Sequence, residues 1–167
     1  MTIRTPRNNS LVICGSMSSY SIMKSLKKDL LKYKIPSITP IEESNKIFKL
    51  TKNEFLRFKR KVSKENFKLI RKPQVYGILV VNSPKKDIVN YIGANTFAEI
   101  AIAFNARKRI FLLHDIFKVF EDELLAWEAI PLYNDLNLLI NTYMKDVKKS
   151  STSLPEKQKR IEDYLLM

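Results

Sequence analysis

Hydrophobic and polar positions divide the chain into two alternating kinds of segment. Short apolar runs at LVICGS (11–16), VYGILVVN (75–82) and RIFLLHD (109–115) end in turn-forming or polar residues, as expected of parallel strands covered on both faces. VYGILVVN, nearly unbroken and rich in β-branched residues, predicts the central strand. After the first run, Ile22, Met23, Leu26, Leu30 and Tyr33 recur at helical spacing. TFAEIAIAFNAR (96–107) is apolar almost all round and predicts a buried helix. IPSITP (35–40), with two prolines, predicts a short edge strand. The stretch FEDELLAWEAIPLYNDLNLLINTYMK (120–145) predicts helix interrupted at Pro131. SSTSLPEK predicts a linker, so that 149–167 forms that linker and a short last helix, and residues 1–10 form a polar N-terminal segment.

Strands alternating with helices imply a mostly parallel sheet with right-handed crossovers, hence a three-layer α/β fold of the flavodoxin-like or Rossmann-like kind, with helices on both faces. At 167 residues the chain is expected to form one domain, 1–167, large enough to build a core without metal or disulfide staples. Ligands of such sheets bind at the carboxyl ends of strands where the winding reverses, which directs attention to the residues after Cys14 and after Asn82.

Composition narrows the function. The net charge is +13, but +9 of it lies in residues 46–72, while 73–144 carry −2. Residues 42–72 therefore read as a basic, solvated helical arm, in which Phe48, Phe55, Phe58 and Phe67 alternate with Lys and Arg. A nucleic-acid groove would place rings and cations on one face; lysine outnumbers arginine 22 to 8, which favours a solubilising surface, or a rim attracting small phosphorylated substrates. The single cysteine, Cys14, rules out an internal disulfide, and the polar start MTIRTPRNNS does not read as a signal peptide, so a cytoplasmic protein is expected. Apolar runs are too short for a membrane span, and CxxC and HExxH spacings are absent. No cofactor is expected. With one histidine, His114, histidine-based chemistry has little room.

Candidate chemistry concentrates at two strand-to-helix connections. Gly15, followed by Ser16, Met17, Ser18 and Ser19, reads either as a turn with an N-cap or as backbone amides and hydroxyls receiving phosphate or ribose oxygens. The motifs GxGxxG and GxxxxGK[ST] are absent, which disfavours ordinary dinucleotide and P-loop sites. In GANTFAEIAIAF (93–104), Glu99 is the only acidic residue between Asp87 and Asp115. Thr96 and Glu99 have capping-box spacing; alternatively, Glu99 in the first turn of a buried helix is a carboxylate placed to attack an electrophilic sugar carbon. Asn82 reads as a turn residue or as a ligand to a sugar or base, and Met17 and Tyr91 as packing or as walls of a slot for a base. Cys14 reads as a buried small hydrophobe, His114-Asp115 as structural, and Trp127 as core or a subunit contact.

Together these segments resemble the nucleoside 2-deoxyribosyltransferase superfamily, which includes 2′-deoxynucleoside 5′-phosphate N-hydrolases. The resemblance spans about residues 11–114: VICGSM is similar to the first strand and Gly-Ser loop, NFKLIRKPQVYGILVVN to the helix and central strand, and GANTFAEIAIAFNARKRIFLL to the catalytic helix and next strand. It implies Glu99 as nucleophile, Asn82, Asn95 and Thr96 in the pocket, and a homodimer or larger homo-oligomer whose subunits complete one another's sites. Two positions depart from the pattern: Gly93 stands where the transferases usually have Asp, and Asn82 replaces a common Asp. The implied reaction is cleavage or transfer of the N-glycosidic bond of a (deoxy)nucleoside or its 5′-monophosphate, with Gly15, Ser16 and Ser18 at the 5′ end. A non-catalytic nucleotide-binding or sensor domain is the alternative, and nucleic-acid binding through the basic arm is a third.

Overall fold

A computed structural model describes residues 9–42, 47 and 49–152. Most of the polar N-terminal segment and the predicted helix beyond Thr152 lie outside them. Five parallel strands form one sheet: β1 (Ser10–Gly15), β2 (Ser37–Ile38), β3 (Val75–Val81), β4 (Arg109–Leu112) and β5 (Ile130–Pro131). Their order, β2-β1-β3-β4-β5, is that of flavodoxin-like sheets. The helices are α1 (Tyr20–Lys32), α2 (Lys52–Ile70), α3 (Ala94–Asn105), α4 (Glu121–Ala126) and α5 (Asn137–Thr152).

Period-two alternation assigns the strand residues to two faces. Val12, Cys14, Ile78, Val80, Ile110 and Leu112 form one buried cluster with Ile70 of α2, Ile100 and Ala103 of α3, and Leu124 of α4. The intervening Leu11, Ile13, Leu79, Val81 and Phe111 are also buried, on the face over which α1 crosses from β1 to β2. This arrangement explains why the strands read as continuous apolar runs. The β1-to-β2 connection leaves in the opposite direction from those leading to β3, β4 and β5, so the winding reverses between β1 and β3. A crevice opens at the carboxyl ends of strands at such a point.

The edges differ from expectation. β5 occupies residues predicted as broken helix; a two-residue strand is too short for periodicity to reveal, and Pro131 is tolerated because it lies on the outermost strand. α4 ends at Ala126, and α5 begins only at Asn137. Nor is α3 buried on all sides. Ile100 and Ala103 face the core, but Phe97 stacks between Phe120 (centroids 4.0 Å) and Trp127 (5.4 Å), and Phe104, 46% exposed, stacks on Trp127 at 5.3 Å.

The described residues form two compact units, up to Asp135 and from Leu136 onward. In the second, α5 is secured by backbone bonds such as Ile140 N–H to the Leu136 carbonyl, and the Thr142 hydroxyl donates to the Leu138 carbonyl at 2.7 Å.

In the first unit, Asn82 joins the ends of β3 and β4. Its side chain, fully buried, donates to the Asp115 carbonyl at 2.8 Å and accepts the His114 backbone N–H at 2.9 Å. Asn82→Ala would leave buried backbone groups without partners and is expected to destabilise the protein by about 2–3 kcal/mol in urea unfolding; a change below about 0.5 kcal/mol would contradict this role.

Candidate functional site

A cavity of about 560 Å³ lies at the carboxyl end of β1, between α2 and the first two turns of α3. Gly15 and Met17 contribute from the loop after β1, and Asn95, Thr96 and Glu99 from α3. Phe58, Lys61, Val62, Glu65 and Asn66 line it from one face of α2, with Pro40, Ile41, Glu42 and Ile47 completing the wall. The volume falls within the range that encloses small organic ligands.

Local backbone geometry brings Glu99 here. Gly93, in extended conformation, is the N-cap of α3, so Thr96 is the third helical residue and Glu99 the sixth. The capping-box alternative is thereby excluded, and Glu99 lies one turn deeper than expected, where the helix terminus contributes little charge stabilisation. The same spacing does make a capping box at Thr51 and Glu54, where the Thr51 backbone N–H donates to the Glu54 carboxylate at 2.8 Å and the Glu54 N–H to Thr51 Oγ1 at 3.3 Å.

Glu99 is 9% exposed and accepts a hydrogen bond from Asn66 Nδ2 to Oε1 at 2.9 Å. Burial raises its pKa from the ordinary carboxylate value; the Asn66 hydrogen bond and the nearby Cys14 thiol act in the opposite direction without cancelling the rise. The Cys14 thiol is itself pushed well up, first by burial and then by the Glu99 charge. Cys14 is buried as expected, its thiol directed at the Val12 carbonyl at 3.9 Å and lying close enough to Glu99 to feel its charge.

Gly15 permits close approach at the cavity's edge. Its φ is +155°, and a Cβ there would lie 2.8 Å from the Val81 carbonyl oxygen and 2.9 Å from Met23 Cε. Beyond it, the Ser16 and Ser18 hydroxyls are 3.0 Å apart, and Lys85 Nζ donates to Ser16 Oγ at 3.3 Å. The 3-10 turn Met17–Ser19 leads directly into the N-terminus of α1. Lys85 Nζ also lies 5.3 Å from the centroid of Tyr91, whose ring meets Phe117 edge-on and flanks Gly93.

Of the residues singled out in the sequence, Gly15, Met17, Asn95, Thr96 and Glu99 therefore border the cavity. Ser16, Ser18 and Tyr91 belong to the neighbouring Lys85 cluster, Gly93 begins α3, and Asn82 is committed to the β3–β4 connection, with its amide oxygen and nitrogen both bonded to backbone. The sequence reading missed the α2 wall. Its signal was Phe58, Val62, Asn66 and Leu69 at helical spacing, a stripe of low charge within a strongly basic segment.

Among the described residues, no group of three or more His, Cys, Asp or Glu could hold a metal ion, and no helix is long and apolar enough to cross a membrane. No family model, curated protein or solved structure matches the chain.

The raised pKa of Glu99 ties its ionisation to stability. A folded-state value above the ordinary 4.5 means that the protonated carboxyl's contribution is complete below that value and is lost as pH rises through the folded pKa. Glu99→Gln, neutral at every pH, is expected to melt at a higher temperature than the wild type at neutral pH, with the difference vanishing below about pH 4. A variant less stable than wild type at neutral pH, with a deficit that grows as pH rises, would contradict the assigned shift.

Proposed function

We propose that the chain cleaves or transfers the N-glycosidic bond of a (deoxy)nucleoside or its 5′-monophosphate, with Glu99 as nucleophile. The observation that carries this reading is the Glu99 carboxylate itself, buried in an apolar helix, not used as a cap, and bordering a cavity large enough for a nucleoside. Resemblance of GSM and GANTFAEIAIAF to the deoxyribosyltransferase superfamily supports it.

In this mechanism Asn66 holds one carboxylate oxygen while the ionised group attacks C1′. The base departs through an oxocarbenium-like transition state, leaving a glycosyl ester on Glu99, which water or a second base then resolves. Partial desolvation makes the carboxylate more basic than one in water, and hence a better nucleophile once ionised. Met17, Phe58 and Val62 offer apolar surface to the base and sugar. The Ser16–Ser18–Lys85 cluster, at the positive end of α1, suits a 5′-phosphate, which would relieve the repulsion between the lysine and the helix N-terminus. Other copies of this chain are the proposed partners in a homo-oligomer.

Incubation with deoxynucleosides and deoxynucleoside 5′-monophosphates, followed by chromatography for free base, tests the reading. Glu99→Ala is expected to reduce base release by about 10³-fold or more, and unchanged release would refute the nucleophile. Lys85→Met is expected to raise KM for monophosphates roughly tenfold while leaving nucleosides unaffected; equal effects on both would remove the phosphate assignment.

A second reading, a binding or sensor domain without turnover, is favoured by the shift of Glu99 toward its neutral form. Its signature is a nucleotide-dependent rise in melting temperature with no free base.

A further inference from the structure

The α2 wall carries a second carboxylate into the cavity. Phe58, Lys61, Val62, Glu65 and Asn66 recur three, four, seven and eight positions apart, so they form one helical face. Asn66 is bonded to Glu99, and the adjacent Glu65 borders the same cavity. Lys61, one turn before Glu65, approaches it to 4.0 Å. These two carboxylates differ in surroundings: Glu99 is buried in an apolar helix, whereas Glu65 is exposed to water and faces an ammonium group. Glu42 also borders the cavity, but from a segment without regular structure and without such a partner among the ion pairs described.

We propose that Glu65 is the general base of hydrolysis, taking a proton from the water that attacks the glycosyl–Glu99 ester. The assignment rests on the glycosidase reading above. In the first half-reaction the Glu99 carboxylate forms a bond to C1′, and the C1′–N bond breaks with its electron pair leaving on the base. In the second, water oxygen attacks C1′, the C1′–O bond to Glu99 breaks, and its electron pair restores the Glu99 carboxylate. The water proton passes to Glu65 and then to the departed base or to solvent, so the net reaction is nucleoside plus water to free base plus sugar. Carboxylate pairs in retaining glycosidases divide labour in this way, one as nucleophile and the other handling protons. Accessibility to water suits the proton-handling member.

Glu65→Gln separates the half-reactions. Mixing this variant with deoxynucleoside or its 5′-monophosphate is expected to release a rapid burst of about one equivalent of base per site, followed by turnover roughly 100-fold slower than wild type. Sodium azide, a nucleophile that needs no general base, is expected to restore base release in the variant and yield a glycosyl azide. Wild-type turnover together with an unaffected Glu65→Gln variant overturns the role of Glu65 and leaves the nucleophile standing. Loss of the burst along with turnover, in a variant whose thermal melting is unchanged, overturns it too. Absence of base release from the wild type overturns the glycosidase reading, and this assignment falls with it.

Discussion

The hydrogen bond between Asn66 and Glu99 joins the two helices that enclose the cavity, and the cost of burying a carboxylate makes that bond matter. An unpaired charge in an apolar helix would be strongly unfavourable. The protein offsets part of this with the Asn66 amide from α2, and the pKa stays raised. Asn66 reaches Glu99, and Cys14 comes close to it, because the sheet's winding reverses between β1 and β3. α2 crosses toward the same face as α3, and β1 ends beneath both.

That geometry gives α2 two unlike sides. One carries Phe58, Val62 and Asn66 toward the cavity, and the other carries most of the basic arm's charge, including Arg57, Lys59, Arg60, Lys64 and Lys68, into solvent. An exposed lysine, Lys59, sits 5.9 Å from the ring of Phe55, so part of the aromatic–basic pattern resolves into a local cation–π contact. A highly basic composition thus coexists with a cavity whose described ionisable residues are three glutamates and one lysine. The positive charge lies on the outer surface, where such a field attracts anions over a distance.

Much of the fold was legible because parallel strands buried on both faces cannot hide their apolar runs: β3 and β4 lie within the segments that periodicity indicated, β1 starts one residue before its own, and the proline-flanked β2 takes the edge. β5 escaped because two residues carry no period and Pro131 points away from strand. The site was legible where it depends on chain-local chemistry, at Gly15 and at the lone carboxylate of an apolar helix. Where tertiary contact decides, the sequence was silent or ambiguous. Thr51-x-x-Glu54 and Thr96-x-x-Glu99 have identical spacing, yet only the first caps, because Gly93 starts α3 three residues before Thr96. Asn82 sits at the carboxyl end of β3, where sheets of this kind bind ligands, but the backbone just after β4 takes up its amide. The face of α2 that closes the cavity was masked by the lysines on its other side.

Under the proposed function, Glu99 forms a covalent bond to a sugar. Rapid acid quenching of the protein with a deoxynucleoside or deoxynucleoside monophosphate, followed by intact-mass spectrometry and peptide mapping, reads that bond directly. The expected result is a mass increase of one deoxyribosyl unit, or its phosphate, on the peptide containing Glu99. Base release with that unit attached to another residue, or with none trapped on any peptide under conditions where turnover is stalled, would contradict it.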